Sequence, residues 1–69
     1  MFRIQRIDYT SSYSPSIFTG NEDQCLNYIH DLIQRDNRAV RGVSFFDGSD
    51  AIELTNNYGS KYIYKIVPL

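Results

Sequence analysis

Apolar residues recur at two different periods along this chain. From Thr19 to Asp36 the period is helical, and on either side it is that of strands. Cys25, Leu26, Ile29, Leu32 and Ile33 fall at i, i+1, i+4, i+7 and i+8. At 3.6 residues per turn that spacing gathers them into one stripe. Asp23, Asn27, Asp31 and Gln34 fall on the opposite side. Thr19 and Glu22 have the spacing of a capping box, with Asn21 and Gln24 as a second candidate. Glu22 and Asp23 suit the positive end of the helix dipole, and Arg35 and Arg38 the negative end. Asn37 can adopt a left-handed conformation and end the helix. Leu26, Ile29 and Ile33 are therefore expected to be buried against a sheet.

The flanking segments read as strands. Phe2 to Tyr9 is the first. Phe2 and Ile4 share one face and Ile7 and Tyr9 the other, so a bulge or a two-sided strand is expected. Thr10 to Ser16 is a turn-rich connection, and Pro15 confines any strand beside it to an edge. Ser16 to Thr19 is a short second strand. Ala39 to Phe46 is the third, with Gly42 a candidate bulge, and Ala51 to Thr55 the fourth. Lys61 to Val67 is the fifth and the richest in β-branched and aromatic residues. Asp47-Gly48 and Asn56-Asn57-Tyr58-Gly59 mark the turns between the last three. The expectation is one α+β domain over residues 1–69, in the order β-β-α-β-β-β. An antiparallel sheet would carry the single helix on one face. That order also occurs among small adaptor and inhibitor proteins, an analogy at the level of fold alone.

Size changes the picture. At 69 residues, a chain buries a small share of its surface, and the cost of ordering it nearly cancels the hydrophobic gain. Cys25 is the only cysteine and His30 the only histidine, so neither an internal disulfide nor a zinc site is expected. Cys25 lies on the core stripe, where an inert buried thiol is expected. Association with a second copy becomes the natural way to add stability. The formal net charge is −1. No apolar run is long enough to span a membrane, and MFRIQRIDYT lacks the continuous apolar stretch of a signal peptide. No membrane association and a cytoplasmic location are the expectation.

Chemistry is sparse. His30 sits at the flank of the helix stripe, and Ser11, Ser12 and Ser14 lack a nucleophile-elbow context. Asp47-Gly48-Ser49-Asp50 lacks the spaced ligands and closing Glu of a calcium loop. No catalytic residue and no cofactor are expected. The strands, however, are apolar on both faces. Phe45 and Phe46 point to opposite sides, and Tyr62, Tyr64 and Ile66 share a face opposite Ile63, Lys65 and Val67. One helix covers one face, so the other would present aromatic residues.

The expected function is a non-enzymatic protein-binding module of adaptor or inhibitor type. It would act, as a homodimer, through a sheet face of Tyr62, Tyr64 and Phe46 rimmed by Arg38, Arg41 and Lys65. The last strand is the expected edge for self-pairing, since it is long and lacks an internal proline. A single-stranded nucleic-acid binder is the alternative, using Tyr stacking with the Arg and Lys residues. A small enzyme comes third.

Overall fold

A computed structural model describes every residue from Met1 to Leu69. In chain order the elements are β1 (Phe2–Asp8), β2 (Ser16–Gly20), α1 (Glu22–Gln34), β3 (Asn37–Ser44), β4 (Asp50–Asn56) and β5 (Lys61–Pro68). The strands form one antiparallel sheet in the order β2-β1-β5-β4-β3. With α1 packed on one face, the chain is a small α+β domain, and its last three strands are the antiparallel meander read from their short connections.

β5 lies at the centre of the sheet, between β1 and β4, and is therefore not the edge expected from its lack of proline. The reason lies in its own pattern. Tyr64 and Ile66 pack toward the helix, whereas Ile63 is buried on the far face. A strand apolar on both sides is best placed where neighbours flank it on both sides. β1 is two-sided as well: its register with β5 is unbroken from Phe2 to Asp8, with Ile4 opposite Ile66 and Ile7 opposite Ile63. The irregularity falls instead between β1 and β2, where Ile4 pairs with Phe18 but Gln5 pairs with Ser16. Gly42 makes no bulge. The bulge of β3 lies between Asn37 and Ala39 and leaves Arg38 without an opposite residue.

The helix runs from the end of β2 to the start of β3, which are the two edges of the sheet. Thirteen residues extend about 20 Å at 1.5 Å per residue. Four gaps between five strands also extend about 19 Å. The helix is thus just long enough to bridge the two edges. Cys25 and Ile29 are buried against Ile4, with Phe18, Tyr28, Ile33 and Tyr64 packed around them.

The start of α1 is capped by Asn21 and Gln24, not by Thr19 and Glu22. Gln24 N donates to Asn21 Oδ1 at 2.8 Å, and Asn21 N donates to Gln24 Oε1 at 2.9 Å. Thr19 is committed to β2, opposite Arg3. At the other end Asn37 does not turn left-handed, since no residue other than glycine has positive φ. Its side-chain amide donates to the Leu32 carbonyl instead, satisfying one of the orphan acceptors of the last turn.

Leu26 departs from expectation: it is 44% exposed. At about 100° per residue it lies at one margin of the apolar stripe, and Tyr28 lies at the other. Tyr28 is the margin that faces the sheet, stacked on Phe18 with ring centroids 4.7 Å apart. Leu26 instead borders an open apolar groove that it lines with Ile52 and Tyr64.

Alanine substitution separates the two positions. Ile29→Ala is expected to cost about 2–5 kcal/mol. Leu26→Ala is expected to cost less than about 1 kcal/mol. Urea denaturation measures both, and equal losses would contradict this placement of the helix.

Candidate interaction surface

The residues expected to form one binding face are divided among three places. Tyr62 and Tyr64 are half-buried on the helix side, where Tyr64 packs on the core and Tyr62 lies under the Arg6 guanidinium at 5.0 Å. Arg38 is at the bulge, with Nη2 near the Gly59 turn. Phe46 is fully exposed in the turn between β3 and β4. Arg41 and Lys65 are on the far face. The Tyr pair therefore does not share an open face with Phe46, Arg41 and Lys65. Both rings share the alternation of Ile66 and Ile52, and that side meets the helix.

The far face is covered by its own long side chains. Glu53 is 5% exposed although it has no second layer above it. The Tyr9 hydroxyl and Arg41 Nη2, the latter at 3.0 Å, both donate to its Oε2. The Tyr9 hydrogen bond, with the Arg41 bond and charge, holds the Glu53 carboxyl below its ordinary value, against the opposing effect of burial. The same carboxylate raises the Tyr9 phenol. Lys65 Nζ lies 4.5 Å from the centre of the Phe45 ring and 3.4 Å from Asp47 Oδ2. Asp47 is pulled down to about 2, chiefly by the Ser49 hydroxyl and amide. Beside Glu53 is an open basin of ≈ 550 Å³ bordered by Asp8, Tyr9, Arg41 and Lys61. Its two carboxylates oppose its two cations, so it favours neither anion nor cation. A Glu fixed in the ionised state is also a poor proton donor at neutral pH.

The two edges of the sheet differ sharply. β2 has five residues, slips register against β1, and follows Pro15. These features discourage a further strand. β3 has eight residues, contains no proline and keeps regular register with β4 from Ala39 to Ser44. Almost all of it is exposed, including Val40 at 49%. Phe45 N donates to Ser49 O at 2.9 Å across the β3–β4 turn. In an antiparallel ladder the backbone groups of successive residues alternate in direction. Ala39, Arg41 and Val43 therefore address β4, while Val40, Gly42 and Ser44 present their N–H and C=O groups to solvent.

Gly42 is the residue that sequence reasoning misread. Three glycines have a local reason: a Cβ on Gly20 would lie 2.7 Å from Gln24 Oε1, and Gly48 and Gly59 have φ of 85°. A Cβ on Gly42 would meet nothing within 4 Å, and its φ is not positive. A strand glycine weakens the strand and often marks close approach by a ligand or another backbone. Gly42 stands opposite Ile52. Ile52 lines an apolar groove of ≈ 230 Å³ with Leu26, Ile29, Tyr64 and Ile66. That groove lies between the helix and strands β4 and β5, and at Gly42 no side chain walls it off from the open edge.

No family model, curated protein or solved structure matches this chain.

Low pH tests the Glu53 cluster. A carboxyl depressed in the fold stabilises the protein above its unfolded value, ordinarily 4.5 for Glu53. That contribution is lost as pH falls through the folded value. Glu53→Gln is thus expected to melt below the wild type at neutral pH, with the gap closing as pH falls below 4.5. A gap independent of pH would contradict the ionised cluster.

Proposed function

We propose that this chain is a non-enzymatic protein-binding module that works by strand addition. An extended segment of the bound protein pairs with the outward backbone groups of Val40, Gly42 and Ser44. Main-chain hydrogen bonds supply the attachment. A side chain reaching across Gly42 enters the apolar groove and supplies selectivity. The observation that carries this reading is the contrast between the edges: β2 is short, irregular and follows a proline, whereas β3 is long, regular and carries a glycine with no internal reason.

Strand addition is better supported than contact with nucleic acid. Arg35 ends the helix, Arg38 sits at a bulge by the Gly59 turn, and Arg41 is engaged with Glu53 on the far face. They do not converge on a groove that a phosphate backbone could follow. The tyrosines that would stack on bases are turned toward the helix side.

Val40→Pro tests the reading. The Val40 amide points away from β4, so proline there removes no internal ladder bond but blocks the outer one. Affinity capture from a lysate of the source organism is expected to recover proteins with the wild type and to lose them with this variant. Circular dichroism should show the fold retained. Recovery of the same proteins by a folded Val40→Pro variant would contradict strand addition at β3.

A further inference from the structure

We propose that the strand added at β3 is β3 of a second copy, paired antiparallel across a two-fold axis at Arg41. This rests on the reading of β3 as the docking edge. A two-fold pairing must set outward-facing residues opposite one another, so the axis passes through a residue and not between two. An axis at Val43 or beyond would set Val40 against Phe46 or later residues, past the end of the strand. An axis at Gly42 would place two vacant glycine positions together. An axis at Val40 would set Gly42 against Arg38, where the bulge interrupts the strand. An axis at Arg41 sets Val40 of each copy against Gly42 of the other. The protruding apolar side chain of the edge then covers the position that has none, at the mouth of the groove beside Ile52. On the far face Ala39 meets Val43. The pairing uses the regular part of β3 and stops short of its bulge.

Charge is compatible with this register. Arg41 faces Arg41 of the other copy, and like charges directly opposite are unfavourable. Each Arg41, however, lies 3.0 Å from its own buried Glu53. The axis is thus surrounded by arginines and ionised glutamates in equal number. The glutamate partner, covered by Tyr9 as well, remains in place whichever way the guanidinium leans.

Gly42→Pro tests the pairing. Within one copy the Gly42 amide points away from β4 and a side chain there enters open space, so proline removes no internal ladder bond. In the paired form it blocks the hydrogen bond to Val40 of the other copy. Sedimentation equilibrium at tens of micromolar is expected to show the wild type as a dimer. Gly42→Pro should weaken association about tenfold or more, the equivalent of about 1.4 kcal/mol, with the fold retained by circular dichroism. Val40→Lys provides an independent variant, since a lysine there guards the edge, and it should also dissociate the dimer. A wild type that stays monomeric, or a folded Gly42→Pro that dimerises as well as the wild type, would overturn self-pairing. If the wild type is monomeric but Val40→Pro abolishes capture of a foreign protein, the edge reading stands and only the second copy is excluded. If capture also survives Val40→Pro, both fail.

Discussion

One thirteen-residue helix has to cover a five-stranded sheet, and much of the molecule follows from that mismatch. Laid along the strands, the helix would shield at most two or three of them. Running from the end of β2 to the start of β3, it joins the two edges, and Ile4, Cys25 and Ile29 are buried between it and the sheet. Part of that face and the whole of the other face are then left to other means. Only eight of 69 residues are buried, which places the domain in the size range where a single core is marginal. Each uncovered region has its own arrangement.

On the far face the arrangement is polar and made by the chain itself. Tyr9 and Arg41 converge on Glu53, and Lys65 lies over Phe45. The aliphatic stems of such residues shield apolar surface while their charged ends stay hydrated or paired, and Ile63 on this face is buried. At the β3–β4 corner of the helix face no such cover exists. Leu26 stands exposed over Ile52 and Tyr64, and the adjoining edge strand keeps its outer backbone groups unpaired. The corner and the edge are continuous through Gly42, so one incoming strand satisfies the backbone and fills the groove together. Strand addition thus completes what the single helix leaves unfinished.

The element order, the helix and the approximate strand limits were legible because they depend on local periodicity and turn chemistry. The capping residue was not, because Thr19 and Asn21 offer equivalent local signals and only the continuation of β2 to Gly20 decides between them. The strand order lies beyond local pattern altogether. Length and freedom from proline made Lys61–Val67 resemble an edge, yet apolar residues on both its faces are the mark of a central strand. The same point explains Tyr62 and Tyr64, whose face could not be known until the strands were ordered. Gly42 carried a signal in the sequence, a glycine inside an apolar run, but a bulge and a close approach share it. The residue's open surroundings distinguish them.

Amide hydrogen exchange measured residue by residue, at low and high protein concentration, tests this account most directly. In dilute protein Arg41 and Val43 should exchange slowly, because they bond to β4, while Val40, Gly42 and Ser44 exchange fast. On concentration the amides of Val40 and Gly42 should become protected, with little change at Arg41 and Val43. Protection that does not alternate along β3, or that is the same at both concentrations, would contradict an edge held open for a second strand.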